Sequence, residues 1–164
     1  MKVKEIMTSE LSVCDLNASL AEAAKVMWNK DCGILPVLKD GKELVGLITD
    51  RDICMGIAMR DRVPSGVSVE EVMTGKVYSV MSDDDVQQAL ETMRQHKVRR
   101  LPVVDAEGKL TGMLSLNDVT LRAEKPANNR ASSLSLRDVM KTYKAICTHQ
   151  IPAETGEKII GASA

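Results

Sequence analysis

The strongest constraint on this chain is that it repeats itself at a fixed distance of 66 residues. Ile6-Met7-Thr8 returns as Val72-Met73-Thr74, and Leu35-Pro36-Val37 returns as Leu101-Pro102-Val103. Gly46-Leu47-Ile48-Thr49 followed by Asp52 returns as Gly112-Met113-Leu114-Ser115 followed by Asp118. Ser19-x-x-Glu22, a helix-capping pattern, returns as Asp85-x-x-Gln88. One period held across unlike motifs means two copies of one supersecondary unit, stacked because neither buries its apolar face alone. The period places repeat one at 1–60, a polar linker with a turn signal at 61–66, and repeat two at 67–124. Residues 125–164 form a C-terminal extension.

Within each repeat the pattern alternates between strand and helix. Leu20, Ala23, Ala24 and Met27 make an amphipathic stripe after the Ser19 cap, and Val86, Ala89, Leu90 and Met93 repeat it. Short apolar runs at Ile34–Leu38 and Leu101–Val104 are followed by the turn signals Asp40-Gly41 and Glu107-Gly108, then by Leu44–Ile48 and Leu110–Leu114. Each pair reads as a β-hairpin. A second helix starts near Thr49 and Ser115. The fold class is therefore mixed α/β (α+β), with two small sheets packing against each other.

Composition narrows the function. Apolar residues make up 44% and charged residues 27%, with a formal net charge of −1, so the basic excess of a nucleic-acid binder is missing. Aromatics are limited to Trp28, Tyr78 and Tyr143, too few for base-stacking platforms. No stretch has the length and apolarity of a membrane span, and the first residues lead into no apolar signal segment. Cys14, Cys32, Cys54 and Cys147 form no C-x-x-C pair, and His96 and His149 are too isolated for a zinc signature. The expectation is a cytoplasmic protein with free thiols, no metal, and neither nucleic acid nor membrane as a partner.

The chemistry concentrates where each hairpin meets its second helix. Thr49-Asp50-Arg51-Asp52 and Ser115-Leu116-Asn117-Asp118 place a hydroxyl before a helix and a carboxylate three residues on. Such a pair is a capping box, with Asp in place of the usual Glu or Gln. It also sits where a helix N-terminus favours an anion.

In combination, the Ile/Val-Met-Thr opening, the Leu-Pro-Val strand and Gly-apolar-apolar-Thr/Ser-x-x-Asp resemble the CBS domain, a module named after cystathionine β-synthase. The resemblance covers about three quarters of the chain. It implies two tandem β-α-β-β-α repeats packed sheet to sheet about a pseudo-twofold axis. It also implies inter-repeat clefts that bind an adenosine-containing ligand such as AMP, ADP, ATP or S-adenosylmethionine. By resemblance, Thr49 and Ser115 lie near phosphate, while Asp52 and Asp118 bind the ribose diol. The segment before each Leu-Pro-Val strand lines the base pocket, implying Cys32 to Pro36 in one repeat, with Cys32, Ile34 and Pro36 as site residues, and Val98 to Pro102 in the other, with Val98 and Pro102. The openings contribute around Thr8–Cys14 and Thr74–Val80, so Thr8 and Val80 join the expected site. A homodimer built from helices of two pairs is implied as well.

The repeats differ where charge is concerned. His96-Lys97-Val98-Arg99-Arg100 stands against Lys30-Asp31-Cys32-Gly33-Ile34, and Arg51 stands against Asn117. Arg99 and Arg100 are candidates for phosphate contacts. Arg51, a cation in the first turn of its helix, opposes the helix dipole and is a third candidate. His96 reads as a surface residue, Cys14 and Cys32 as small buried apolar groups, and Met55, Ile57 and Met59 as core or interface. Leu136-Arg137-Asp138-Val139-Met140-Lys141 echoes the opening motif, but only 24 residues follow Met140. It reads as a short amphipathic helix near 134–142 or as a degenerate repeat start packed on the pair or its dimer partner, before a flexible tail.

The function expected is a non-catalytic sensor that binds an adenosine-type ligand and signals occupancy through conformation or dimer geometry to a protein effector not identifiable from sequence. No activated nucleophile, metal cluster, acid–base pair or cofactor motif argues for an enzyme. The alternative is a structural adaptor whose clefts are vestigial.

Overall fold

The computed structural model describes residues 1–123 and 134–148. Repeat one contains β1 (Cys14–Asp15), α1 (Leu20–Asn29), β2 (Ile34–Lys39), β3 (Glu43–Thr49) and α2 (Asp50–Ala58). Repeat two contains β4 (Val80–Met81), α3 (Val86–His96), β5 (Arg100–Val104), β6 (Leu110–Ser115) and α4 (Leu116–Arg122), and α5 (Leu136–Cys147) follows. The expected mixed fold of two small sheets is present: β1-β2-β3 and β4-β5-β6 are separate three-stranded sheets. In each, the first strand pairs parallel and the hairpin antiparallel.

Local chemistry accounts for these elements. Ser19 accepts from the Glu22 N–H while Glu22 accepts from the Ser19 N–H, so α1 starts with two backbone donors satisfied. Leu20, Ala23 and Met27 are its buried face, and Val86, Ala89, Leu90 and Met93 are that of α3. The hairpin turns carry Gly41 at φ 68° and Gly108 at φ 79°, backbone that glycine adopts without steric penalty. These glycines are 67 residues apart, a one-residue slip absorbed in the loop, whereas the ladder irregularities at Val37/Leu38 and Val103/Val104 keep the 66-residue period.

The packing units cut across the sequence repeats. Val3 and Ile6, from the opening of repeat one, lie in the apolar core built by repeat two. Val67 and Val69, from the opening of repeat two, lie in the core of repeat one. Backbone bonds hold the exchange: Val3 N donates to Asp84 O and Lys4 N to Ser82 O, while Leu20 N donates to Val67 O and Val69 N to Ala18 O.

The same exchange explains why two of the sequence motifs recur together. Thr8 and Met113 exchange two backbone bonds of 2.9 Å, and Thr74 and Leu47 exchange two of 2.9 and 3.1 Å. Glycine suits position 112 because a Cβ there would stand 2.6 Å from Met7 Sδ and 3.0 Å from Thr8 O. Gly46 meets Met73 and Thr74 in the same way. Each repeat's Met-Thr opening thus packs against the other repeat's Gly-containing strand.

Helix α5, longer than the 134–142 segment read from sequence, lies on α3 and α4. Gln87 Nε2 donates to Asp138 Oδ2 (3.3 Å), Arg94 Nη1 to the buried Thr142 Oγ1 (2.9 Å) and Lys97 Nζ to Thr148 O (2.8 Å). The corresponding face of α1 and α2 has no such cover among the described residues, and Trp28 is 88% exposed on it. The stretch after Pro152, expected to be a flexible tail, lies outside the described residues.

Candidate functional site

Two cavities of about 370 Å³ each lie between the repeats, a size suited to one small ligand. Each is assembled from both repeats. The first takes Leu47, Thr49 and Asp52 from the end of β3 and start of α2, Thr74, Lys76 and Tyr78 from the opening of repeat two, and Val98 and Arg99 from the α3–β5 junction. The second takes Met113, Ser115 and Asp118 from repeat two and Thr8, Glu10, Leu11 and Ser12 from the opening of repeat one, with the Lys30–Ile34 segment and Pro36. Ile34 and Arg100, the first residues of β2 and β5, line both clefts.

The hydroxyl–carboxylate pairs are formed as caps. Asp52 Oδ2 accepts from Thr49 N (2.9 Å) and Thr49 Oγ1 (2.7 Å), while Thr49 Oγ1 accepts from Asp52 N (3.1 Å). Ser115 and Asp118 repeat this at 2.8, 2.6 and 3.1 Å. Each hydroxyl has a single proton, and it is already donated to the carboxylate, so a ligand oxygen can receive it only by exchange. The other carboxylate oxygen, Oδ1 of Asp52 and of Asp118, accepts no hydrogen bond among the described residues and can take a diol.

The backbone donors at these helix starts are engaged too. Asp50 N donates to Gly33 O, Arg51 N to Asp50 Oδ1 and Asp52 N to Thr49 Oγ1. Leu116 N likewise donates to Arg99 O. The helix N-terminus offered to an anion by the sequence is therefore largely self-satisfied. Cationic side chains, rather than free N–H groups, are the available anion partners in the first cleft.

A third box, Ser135–Asp138, has the same bonds at 3.4, 2.7 and 3.2 Å but lines neither inter-repeat cleft. A cap of this kind does not by itself mark a site; the cavity beside it does.

Of the residues expected from sequence, the first cleft gathers Thr49, Asp52, Ile34, Val98, Arg99 and Arg100, and the second gathers Ser115, Asp118, Thr8, Cys32, Ile34, Pro36 and Arg100. Three others line neither. Val80 is buried in β4, Pro102 is buried in β5, and Arg51 is exposed on α2. Lys76 and Tyr78 in the first cleft, and Glu10, Leu11, Ser12 and Gly33 in the second, fall inside the expected segments without being named there, whereas Leu47, Lys30, Asp31 and Met113 lie outside them. Tyr78 stacks on His96 with ring centroids 3.6 Å apart, and Lys76 Nζ lies 5.3 Å from the Tyr78 centroid. The Tyr78 hydroxyl raises Lys76 above the ordinary lysine range.

A third cavity of about 410 Å³ follows the seam between α4 and α5, where Leu116, Val139, Met140 and Tyr143 meet Arg99 and Arg100. Its counterpart between α1 and α2, about 400 Å³, is lined by Met27, Trp28, Cys32 and Ile53. Among the described residues no helix is long and apolar enough to cross a membrane.

Comparison with known proteins agrees with this architecture. The family model for the CBS domain matches residues 3–58 and again 69–124. The uncharacterized protein YlbB of Bacillus subtilis is 38% identical over 140 residues, covering 84% of this chain and 90% of its own length. The CBS domain pair of MJ0100, solved in complex with 5′-methylthioadenosine and S-adenosyl-L-methionine, superposes with a TM-score of 0.66 at 27% identity, over 74% of this chain and 94% of that one. CBSX2, a CBS-pair protein from Arabidopsis thaliana solved in complex with AMP, gives 0.63 at 29% identity, over 73% and 93%. With two matched modules, two exchanged openings and two clefts between them, this chain belongs to the CBS-domain family as a tandem pair.

Proposed function

We propose that this protein is a regulatory module that binds an adenosine-type ligand in one or both inter-repeat clefts. The observation that carries this reading is the construction of each cleft: a carboxylate with one open oxygen stands beside an apolar wall contributed by the other repeat. A diol fits the carboxylate and a neutral base fits the wall. Supporting it, two neighbours of the same fold hold AMP or S-adenosylmethionine and methylthioadenosine. Because both repeats build each cleft, a ligand joins them, and its occupancy is passed on through the geometry of the pair. The exposed α1–α2 face with Trp28 supports a homodimer as the form that presents this signal to an effector protein in the cytoplasm.

The test is a thermal-shift panel of adenosine, AMP, ADP, ATP and S-adenosylmethionine. A ligand at a hundred times its dissociation constant adds about 2.7 kcal/mol, which moves the transition by several degrees. Asp52→Ala and Asp118→Ala should each remove binding at one cleft. Asp138→Ala is the control, because it loses the same kind of cap without touching a cleft. No stabilisation by any of the five compounds, or equal ligand shifts in all three variants, overturns the proposal.

A further inference from the structure

The scaffold of the two clefts is duplicated, but their charge is not. At positions 66 residues apart, Lys76 in the first cleft stands where the second has Glu10, and Arg99 stands where the second has Gly33. The first cleft has three cations, Lys76, Arg99 and Arg100, against one carboxylate, Asp52. The second has three carboxylates, Glu10, Asp31 and Asp118, against Lys30 and the shared Arg100. The basic counterpart of Asp31 is Lys97, and it does not join the first cleft; it turns away to bond Thr148 O.

Among the described residues, no salt bridge balances these charges. The salt bridges among the described residues join Met1 to Asp85, Lys4 to Asp83, Arg62 to Glu71 and Arg94 to Glu91. None involves Lys76, Arg99, Arg100, Glu10 or Asp31. Like charges gathered around one cavity repel each other, and a ligand of opposite charge relieves that repulsion. With most of the N–H groups at the helix starts already bonded, side-chain charge is the main means left to discriminate between ligands.

We propose that the clefts are sorted by charge: the Thr49–Asp52 cleft takes an adenosyl ligand with a polyanionic 5′ substituent, and the Ser115–Asp118 cleft takes one whose 5′ substituent is uncharged or cationic. This inference rests on the adenosyl reading above and adds which class of ligand each cleft accepts. It follows that one chain can hold two different adenosyl compounds at once, and that a triphosphate does not displace a sulfonium ligand.

The experiment is isothermal titration of the full chain with adenosine, ATP and S-adenosylmethionine, at low and high salt, for the wild type, Lys76→Glu and Glu10→Lys. Both substituted positions are exposed and lie outside the capping boxes. The wild type should bind ATP at one site and S-adenosylmethionine at the other. Lys76→Glu should weaken ATP about tenfold relative to adenosine at low salt, and less at high salt. Glu10→Lys should weaken S-adenosylmethionine and admit a second ATP. If adenosine binds but both variants keep the wild-type ATP-to-adenosine affinity ratio within about twofold and the same stoichiometry, the sorting is wrong and the adenosyl reading stands. If none of the three compounds binds the wild type, both fail together.

Discussion

The exchanged openings can be tested at a single glycine. Gly112 has no positive φ, so its backbone accepts an alanine; only space forbids one. A Cβ would lie 2.6 Å from Met7 Sδ and 3.0 Å from Thr8 O. The sulfur is at the end of a flexible side chain and can swing away. The carbonyl cannot, because Thr8 is held to Met113 by both of its backbone bonds. Forcing a methyl group into a packed site costs about 1–3 kcal/mol, while removing glycine from the unfolded chain returns about 0.4–1 kcal/mol. Gly112→Ala should therefore destabilise by about 1–2 kcal/mol, which at this chain length lowers the melting temperature by about 2–8 °C.

Gly75→Ala supplies the control, since nothing lies within 4 Å of its would-be Cβ and its φ is not positive. Both variants are compared by urea denaturation with the slope monitored, so that a change in the midpoint reads as a change in stability. Met7→Ala in the Gly112→Ala background removes only the contact that can already swing away, so it should recover little of the loss, with a coupling below about 0.5 kcal/mol. If Gly112→Ala matches Gly75→Ala within about 0.5 kcal/mol, the close approach of the opening to the Gly-containing strand does not hold the pair together.

Three further outcomes follow from the structure. Thr142→Val keeps the shape of α5 but leaves Arg94 Nη1 without its partner; it should cost about 1–2 kcal/mol and lower amide-exchange protection in α5 more than in β5, and unchanged protection counts against the latch. Burial, with Asp15 and Glu22 adding to it, pushes the Cys14 thiol up from 9.0 to about 11. Its contribution to stability is complete below the unfolded value and is lost as pH rises through 9 towards 11; alkylation should label the exposed Cys54 and Cys147 well before Cys14, and equal labelling rates would refute the burial argument. Trp28 is the single tryptophan, so its emission should shift blue as protein concentration rises if α1–α2 is the dimer face, in step with sedimentation and abolished by Trp28→Glu; a dimer with the emission of a hydrated indole would place the interface elsewhere.

Much of the fold was legible because its determinants are local. The Ser19–Glu22 and Asp85–Gln88 boxes fix where α1 and α3 start, and glycines at 41 and 108 fix the hairpins. What the period cannot reveal is which core an opening segment enters. Residues around Met7 and Met73 carry nearly the same pattern, and the two cores that receive them are nearly the same, so either pairing satisfies the hydrophobic code. Chain continuity decides between them. The opening of repeat two follows α2 after a short linker and occupies the slot in repeat one, which leaves residues 1–8 the equivalent slot in repeat two. The amphipathic character of α5 was readable for the same local reason. Its seat on α3 was not, because Gln87, Arg94 and Lys97 are ordinary surface residues until a partner arrives.

The site divides along the same line. Asp52 and Asp118 could be located because the Gly-apolar-apolar-Thr/Ser-x-x-Asp motif that carries the family resemblance is local, and Arg99 and Arg100 because they break the period. Tyr78, Lys76 and Glu10 fell within the expected opening segments but could not be assigned to a cleft, since that depends on the exchange: Lys76 from repeat two reaches the cleft holding the Asp of repeat one, and Glu10 from repeat one reaches the cleft holding the Asp of repeat two. Comparing the repeats side by side treats each as the owner of one site and places Arg99 with Asp118. In the structure Arg99 lines the inter-repeat cleft of Asp52, as well as the α4–α5 cavity, and Arg100 is shared by both clefts. The charge of each cleft is therefore a property of the pair. A substitution at position 10 acts on the cleft whose carboxylate lies more than a hundred residues away in sequence, and leaves alone the cleft of its own repeat's Asp52.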